Sequence, residues 1–466
     1  MISAIALDLG STSIKAGLLD QHGALVNIVA MPAPTINTND GHYESDALAY
    51  ALTAEQVLNS CMAQADGSPP LGLCSQRSSF LIWDKASGKP VTPLISWQDT
   101  RGAESCVALH AQEPLITELT GLRLTPYYFA TKLRVVLHLN PHWRERLELG
   151  ELLLGTLDTF FIWRWTGGTH YITDASMAAR TLLMDIRQQQ WSPVLCDLFG
   201  IPLGILPMIK PSTGLNVRLN NGLTLQASLG DQSAALFASV GEDREAALVN
   251  LGTGGFVIRY LDIEQTNTEG YLRTLVYQDN NLQTHIAIEG TLNSIAAALA
   301  PYPVNDCKPE DMAEIADIFC IAEPSGLGAP YFRNDLGMQF SRPVEHLTQT
   351  QIACLLLEAI VFRVVRIIED FHHRAAIKRV YLSGGLSELS SLQQGIAQCL
   401  TSNVIACEIF RLQQRDASLQ GAAMLAAGLI QLPQQQAVKI QIENTNKPLQ
   451  QKYLHWKDWF DSLLNA

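Results

Sequence analysis

Two short turns, far apart in the chain, combine glycine with hydroxyl side chains between apolar runs, as a phosphate-binding hairpin requires. The first turn contains Gly10, Ser11 and Thr12, with Asp8 before it and Lys15 after it. Small residues let several backbone N–H groups converge on an anion without interference from Cβ atoms. An ordinary turn with a solvated lysine fits these residues equally well when they are considered alone. The turn therefore predicts a phosphate site only if a second feature supports it.

A second copy of the pattern supplies that support. The tripeptide Leu-Gly-Thr at 251–253 repeats Leu-Gly-Ser at 9–11, again between apolar runs that are typical of strands. The copies differ in one informative position, because Asn250 stands where the first copy has Asp8. The pair predicts two related domains that face one phosphate chain, with the charged, metal-binding chemistry on the first.

Polar residues follow two further predicted strands, at the positions where ligands commonly bind in α/β sheets. The strand predicted at 224–229 leads into Gly230, Asp231 and Gln232, and a helix is predicted at 233–240. The strand predicted at 378–382 ends at Ser383, which two glycines follow. Both strand ends are therefore candidate parts of a site.

Three other segments carry expectations about secondary structure. Gly290 and Thr291 are expected to open an alanine-rich helix after a short strand. The Gln-rich piece at 431–436 is expected to be an exposed connector. Beyond it, apolar residues at helical spacing between Tyr453 and Leu463 predict an amphipathic closing helix.

Length, charge and cysteine usage limit the classes of protein to consider. A chain of 466 residues exceeds one ordinary core, which predicts two domains. A net charge of −13 argues against nucleic acid or an anionic membrane as the partner. The nine cysteines form no CxxC pair, which predicts reduced thiols in a cytoplasmic protein and no zinc site. Neither a signal peptide nor an apolar run of about 18 residues is recognisable.

Seven motifs, in this order along the chain, together resemble the FGGY carbohydrate kinases, with glycerol kinases nearer than xylulokinases. They are DLGSTSIKAG at 8–17, SQRSSFLIWD at 75–84, ISWQDTR at 95–101, TGLRLTPYYFATKL at 120–133, GDQSAALF at 230–237, NLGTGG at 250–255 and GLGAPYF at 326–332. The resemblance implies an α/β fold of two duplicated ribonuclease H-like domains, of the actin and hexokinase type, with an interdomain cleft. We expect an N-terminal domain at 1–243, a nucleotide-binding C-terminal domain at 244–430, and the connector and closing helix at 431–466.

The resemblance also implies a reaction: ATP-dependent phosphorylation of a hydroxyl of a small polyol or sugar by direct in-line transfer. Asp231 is then the candidate general base, because a carboxylate at a strand-to-helix junction can orient an alcohol and accept its proton. An aspartate that caps the following helix would fit the same position. Gln232 would bind substrate hydroxyls beside it.

The residues expected to bind the phosphate donor lie in both domains. Asp8 would hold Mg²⁺ through water, since a hard cation prefers carboxylate oxygen and keeps part of its hydration. The expected nucleotide contacts are Gly10, Ser11, Thr12 and Lys15 in the first hairpin, Gly252 and Thr253 in the second, and Ser383, Gly384 and Gly385 against adenine.

The substrate pocket departs from the glycerol kinase pattern. Besides Asp231 and Gln232, the expected substrate residues are Arg77, Ser78, Trp97, Asp99, Tyr127 and Phe256. Ser78 occupies the position of a glutamate that in glycerol kinases accepts hydrogen bonds from glycerol, so its loss should weaken glycerol binding. A larger polyol or a keto sugar could fill the vacated space.

Two alternatives to this function stay open at the level of sequence. One is glycerol kinase proper. The other is a non-catalytic, actin-like ATPase or regulator that hydrolyses ATP without a sugar. The resemblance further implies that a homodimer is common, although no residue of the sequence identifies the interface.

Overall fold

The structure is a computed structural model, and it describes residues 2–262, 265, 268–403, 405–413, 415–430, 437–442 and 446–465. The predicted connector at 431–436 lies outside the described residues.

The strands are numbered in chain order. They are β1 (Ile2–Leu9), β2 (Ser13–Asp20), β3 (Leu25–Pro32), β4 (Asn37–Asn39), β5 (His42–Ser45), β6 (Leu71–Ser75), β7 (Phe80–Asp84), β8 (Leu94–Ile95), β9 (Leu152–Thr156), β10 (Ile172–Asp174), β11 (Met184–Asp185), β12 (Gln190–Trp191), β13 (Met208–Lys210), β14 (Thr213–Arg218), β15 (Thr224–Gly230), β16 (Ala246–Leu251), β17 (Gly255–Leu261), β18 (Leu272–Gln278), β19 (Thr284–Leu292), β20 (Cys320–Ile321), β21 (Gln339–Phe340), β22 (Arg379–Ser383), β23 (Glu408–Leu412) and β24 (Ala437–Lys439).

The α-helices are numbered in the same way. They are α1 (Ala47–Met62), α2 (Ala103–Ala108), α3 (Glu113–Thr120), α4 (Phe129–Leu139), α5 (Pro141–Glu148), α6 (Leu157–Trp165), α7 (Ala175–Ala178), α8 (Pro193–Phe199), α9 (Asp231–Val240), α10 (Ile295–Leu299), α11 (Gln349–Arg374), α12 (Ser390–Asn403), α13 (Ala417–Ala427) and α14 (Lys447–Leu464).

Two large sheets repeat one topology. In the first sheet, of order β14-β15-β6-β1-β2-β3, the antiparallel meander β1–β3 is extended by β6 and β15, both parallel to β1. In the second, β16, β17 and β19 run antiparallel, while β22 and β23 continue parallel to β16. The duplication confirms the predicted fold class.

The middle of strand β1, from Ala4 to Leu7, is apolar because both faces of its sheet are covered. Ile5 and Leu7 pack into the core that contains α1, whereas Ala4 and Ala6 pack into the core that contains α13. The small alanine side chains on this second face let α13 approach the sheet closely.

Helix α13 lies between the first sheet and α9, and its small residues are required by this position. A Cβ atom on Gly421 would lie 1.9 Å from the carbonyl oxygen of Ala234 in α9. On the other side, a Cβ atom on Gly72 of β6 would lie 2.1 Å from the carbonyl oxygen of Ala422. The backbones of α13, α9 and β6 are therefore in direct contact.

One expectation about secondary structure is wrong. Gly290 and Thr291 do not open a helix, because β19 continues through them and pairs with β17 as far as Leu292. Helix α10 begins only at Ile295. Among the described helices, none has the length and apolar character needed to cross a membrane.

Candidate active site

The first hairpin, β1–β2, presents its turn to the cleft between the two sheets. Gly10 is required there, because a Cβ atom would lie 2.6 Å from the carbonyl oxygen of Ser13. The Tyr50 hydroxyl donates a hydrogen bond of 2.7 Å to the Gly10 carbonyl and fixes the turn. Ser11 lines the cleft, and Thr12 at the tip is exposed. Tyr50 thus anchors the turn on its protein side, and the turn is open toward the cleft.

Asp8, at the base of this hairpin, has one carboxylate oxygen bound and one unpaired. Its Oδ2 accepts a hydrogen bond of 2.6 Å from the Ser418 hydroxyl of α13. Oδ1 is buried, and no described residue donates to it. Burial, with a contribution from the charge of Asp231, raises the pKa of the Asp8 carboxyl to about 6. An unpaired, buried carboxylate oxygen suits a hydrated cation.

The residues around Asp8 fit an Mg²⁺ ion that takes most of its ligands from water and phosphate rather than from the protein. Within the described residues, no group of three or more acidic, histidine or cysteine side chains could hold a metal. Mg²⁺ commonly binds through one or two carboxylates together with substrate phosphates and waters. A single carboxylate oxygen beside a phosphate turn satisfies this requirement.

Lys15 is paired with a carboxylate in this structure. Its ammonium lies 2.5 Å from Asp416 Oδ1, in the residue that precedes α13. The side chain is 31% exposed, so it also reaches solvent. The two charged residues nearest the turn, Asp8 and Lys15, therefore contact the beginning of α13.

The second hairpin, β16–β17, is adjacent to the turn after β22. Asn250 donates a hydrogen bond of 3.0 Å from Nδ2 to the Ser383 hydroxyl across the parallel pair β16–β22. Gly384 packs tightly, since a Cβ atom would lie 2.4 Å from the Leu251 carbonyl oxygen, and its φ is +86°. Gly385 is open, with no atom within 4 Å of a Cβ position. A smooth, exposed backbone surface results.

The other predicted residues of the second hairpin are accessible. Thr253 is exposed at the tip, and its carbonyl accepts a hydrogen bond of 3.1 Å from the Ala296 amide. Gly252 has no atom closer than 3.9 Å to a Cβ position. Phe256, the second residue of β17, lines the same pocket as Ser11 of the first hairpin. The two hairpins therefore face one cleft.

A pocket of about 330 Å³ lies in this cleft. Its lining includes seven of the eight residues predicted for substrate: Arg77, Ser78, Trp97, Tyr127, Asp231, Gln232 and Phe256. Gln76, Tyr128, Arg180 and Glu289 complete it together with Ser11. Its volume lies near the lower end of the range for small-molecule sites, about 300–1,000 Å³.

Asp231 begins α9 and is held by its neighbours. Its Oδ1 accepts a hydrogen bond of 2.7 Å from the Gln232 amide and lies 3.6 Å from Arg77 Nε. No described residue donates a hydrogen bond to Oδ2. Burial raises the pKa of the Asp231 carboxyl above its usual range, and the charge of Arg77 opposes this. One oxygen is fixed while the other is available to a ligand.

Arg77 connects the two polar side chains at the start of α9. Its guanidinium donates a hydrogen bond to Gln232 Oε1 and is close to Asp231. Burial and the charge of Arg180 lower the pKa of Arg77 to about 10, so it stays protonated at neutral pH. The guanidinium orients both Gln232 and Asp231.

Ser78 lines the pocket, but its hydroxyl is used within the protein. It donates a hydrogen bond of 2.9 Å to the carbonyl of Arg180, and the residue has a left-handed φ of +63°. From below, the buried ammonium of Lys132 donates to the carbonyl oxygens of Ser78 and Ser96, at 2.8 and 2.7 Å. Burial lowers the pKa of Lys132 to about 7. The pocket wall is therefore rigid at this point.

Asp99 does not line the pocket, in contrast to the expectation from the sequence. Its side chain is fully buried and accepts hydrogen bonds from the Tyr43 amide at 2.8 Å and from the Arg101 guanidinium at 2.8 Å. Arg101 in turn bonds Glu44. The carboxylate of Asp99 is thus occupied in holding the loop after β8, which carries Trp97 into the pocket.

Sequence reasoning missed Arg180 and Glu289. Arg180 is 9% exposed, donates a weak hydrogen bond of 3.4 Å to Thr274, and lies 5.4 Å from the centre of the Tyr128 ring. Glu289 is 8% exposed and lies within the buried strand β19. A lone carboxylate in the apolar run at 286–292 was the available signal for Glu289.

Comparisons with family models and with individual proteins point to the same protein family. The model of the N-terminal domain of the FGGY family of carbohydrate kinases matches residues 3–250, and that of the C-terminal domain matches residues 247–429. A glycerol kinase of Gloeobacter violaceus is 33% identical over 449 residues, which cover 91% of this chain and 87% of that protein.

Two solved structures illustrate the shared fold. The glycerol kinase of Plasmodium falciparum with ADP has a TM-score of 0.85 at 22% identity, covering 98% of each chain. A ligand-bound xylulose kinase of Lactobacillus acidophilus has a TM-score of 0.80 at 19% identity, covering 99% of this chain and 98% of that one.

Proposed function

The chain belongs to the FGGY family of carbohydrate kinases, and from this we propose that Asp231 is the general base for direct transfer of the γ-phosphoryl group of ATP to its substrate. The family phosphorylates an alcohol group of a sugar or polyol with ATP. The observation that carries the proposal is the position of Asp231, which shares one interdomain pocket with Arg77 and with Ser11 of the phosphate turn.

Asp231 has the geometry of a positioned base. Oδ1 is held by the Gln232 amide and lies near Arg77, which leaves Oδ2 to accept the proton of a substrate hydroxyl. Burial strengthens the carboxylate as a base by raising its pKa. Gln232 and Arg77 bind neighbouring oxygens of the substrate and orient the reacting hydroxyl toward the phosphoryl group.

The donor contacts follow from the two hairpins. The turn at 10–12 cradles the β- and γ-phosphates with backbone N–H groups, and Lys15 supplies a positive charge beside them. Thr253 and Gly252 contact the phosphates from the other domain, and adenine lies against the turn at 383–385. Mg²⁺, held by Asp8 through water, neutralises charge on the phosphate oxygens when it is bound.

The proposal also covers the acceptor substrate, the cellular compartment and the oligomeric state. The acceptor is a small polyol or sugar, and an excess of negative charge keeps the protein from nucleic acids and anionic membranes. All nine cysteines lie in the described part of the chain, where no two of them form a disulfide, which agrees with a cytoplasmic setting. Formation of a homodimer stays a prediction.

The experiment is a coupled assay of ADP release with a panel of polyols, ketoses and sugar acids. We expect one class of compound to stimulate ADP release and Asp231→Asn to reduce the stimulated rate by about 10²–10⁴-fold, the usual contribution of a general base. Asp66→Asn, at an exposed position, is the matched control. Substrate-stimulated turnover that is unchanged in Asp231→Asn would refute the assignment of the base.

The assay also separates the two alternative functions. A glycerol kinase would show its highest kcat/KM with glycerol. An actin-like ATPase would release ADP at a rate that no compound of the panel changes.

A further inference from the structure

Glu289 differs from the other deeply buried glutamates of the described chain in having no partner. Glu358 binds Lys452 and the Ala313 amide, and Glu323 binds Arg363 together with two backbone amides. Glu369 accepts from Tyr453 and Lys457. By contrast, no described donor lies within hydrogen-bond distance of the Glu289 carboxylate, although the residue is only 8% exposed.

The unpartnered carboxylate of Glu289 is part of the pocket lining. Most of the residue is buried, but its carboxylate oxygens reach the pocket, where only solvent or a ligand can donate hydrogen bonds to them. Neither guanidinium of the pocket donates a hydrogen bond to Glu289, although the charges of Glu289 and Arg77 attract each other. Arg77 bonds Gln232 and lies beside Asp231, while Arg180 contacts Thr274 and the face of Tyr128. The acceptor is therefore available for a donor from a ligand.

Glu289 reaches the pocket from the opposite domain to Asp231. It lies on β19 of the second sheet, where it pairs in register with Ile258 of β17, two residues beyond Phe256. Asp231 follows β15 of the first sheet. A ligand that contacts both carboxylates must bridge the two sheets across the cleft.

The charges of the pocket indicate what the bridging ligand is. Two guanidiniums, of Arg77 and Arg180, are balanced by two carboxylates, of Asp231 and Glu289. A sugar acid would bring a third carboxylate into a pocket with two guanidiniums and would make its net charge negative. A neutral polyhydroxy compound instead supplies O–H donors to Glu289 and accepting oxygens to Arg77.

On the basis of the proposed kinase function, we propose that Glu289 is a substrate-binding residue. Its carboxylate accepts hydrogen bonds from hydroxyls remote from the one that is phosphorylated, and it selects neutral polyols and sugars against sugar acids. Because these contacts are made in the ground state and in the transition state alike, Glu289 contributes to KM more than to kcat.

The test is steady-state kinetics of Glu289→Gln, which keeps the size of the side chain and removes its charge. The panel pairs neutral alditols and ketoses of three to six carbons with the aldonic acids of equal length. For the best neutral substrate of the natural protein, we expect KM to rise about 10- to 100-fold, the range for a lost charge-assisted hydrogen bond, with kcat changed less. The matching acid should gain in kcat/KM relative to its neutral counterpart.

Two further variants guard against a merely structural effect. Glu289→Asp keeps the charge on a shorter side chain and should recover part of the affinity, including where Glu289→Gln fails to fold. Glu345→Gln removes an exposed charge and should leave every constant unchanged. Without substrate, Glu289→Gln should melt at a temperature close to that of the natural protein, because the removed carboxylate accepts no hydrogen bond from the described residues.

The outcomes distinguish a failure of this proposal from a failure of the kinase function on which it rests. KM values within twofold of the natural protein in both Glu289 variants, or an aldonic acid as the best substrate, would overturn the role of Glu289 while leaving the kinase intact. If no compound stimulates ADP release by the natural protein, the proposed function fails, and the role of Glu289 fails with it.

Discussion

Asp8 and Asp231 are two carboxylic acids whose pKa values burial raises, but their surroundings give them different chemistry. Asp231 has the guanidinium of Arg77 beside it, which favours the ionised form that a base needs. Asp8 has a hydroxyl partner on one oxygen and none on the other. The Ser418 hydrogen bond and the charge of Lys15 offset only part of the cost of burying its anion, so a bound cation would stabilise the anion further.

This difference predicts an effect of Asp8→Asn on stability. The carboxyl pKa is raised from 3.8 to about 6, so between these pH values the unfolded chain loses a proton that the folded chain keeps. The natural protein therefore loses stability as pH rises from about 4 to about 6, and the loss is complete above that range. The variant escapes this loss, and at pH 7 it should be more stable by about 1–3 kcal/mol.

Urea unfolding from pH 4 to pH 8 measures the difference between the two proteins. We expect it to be near zero at pH 4 and to reach its full value above pH 6, while kinase activity falls at saturating Mg²⁺. A variant that is less stable than the natural protein at pH 7 would show that the Asp8 carboxylate stabilises the fold instead.

The elements that carry the site were largely predictable from the sequence because their signals are local. Both hairpins, the strand before Asp231 and the strand before Ser383 occur as predicted. Periodicity and turn residues determine such elements within a few residues. The helix expected at Gly290 failed because pairing of β19 with β17 outweighs the local preference of a Gly-Thr pair.

The positions of individual side chains were less predictable, because they depend on distant partners. Asp99 and Asp231 are both aspartates near the end of a strand, yet Arg101 and Tyr43 enclose the first and leave the second in the pocket. Glu289 and Arg180 enter the pocket only through pairing between strands and the turn after α7. No spacing in the sequence encodes these contacts.

Helix α13 makes a further prediction at the scale of elements. The Cβ atom that Gly421→Ala adds would lie only 1.9 Å from the carbonyl oxygen of Ala234 in α9. Because both partners are backbone, α9 and α13 must move apart, at a cost of about 1–3 kcal/mol. Asp231 begins α9, so catalysis should fall with stability.

Thermal unfolding and kcat of Gly421→Ala measure this effect. Gly204→Ala is the control, since no atom lies within 4 Å of its Cβ position. Equal melting temperatures for the two variants would contradict the tight contact between α9 and α13.

On the scale of the whole molecule, the site exists only because two copies of one fold meet. The first sheet supplies Asp8, the phosphate turn and Asp231, and the second supplies the turn at 383–385, Phe256 and Glu289. In the proposed reaction, movement of the two sheets toward each other would close the cleft and exclude water, which competes with the sugar for the phosphoryl group. Under the proposed function, the donor and acceptor contacts would tighten together as the cleft closes.

The most direct test of this account is a single-turnover experiment with excess protein and ATP labelled in its γ-phosphoryl group, together with the best neutral polyol or sugar. We expect the label to appear in the acceptor, with a transfer rate about 10²–10⁴-fold lower in Asp231→Asn and with ATP affinity unchanged. Transfer at the same rate in Asp231→Asn, or label recovered only as inorganic phosphate, would contradict the account.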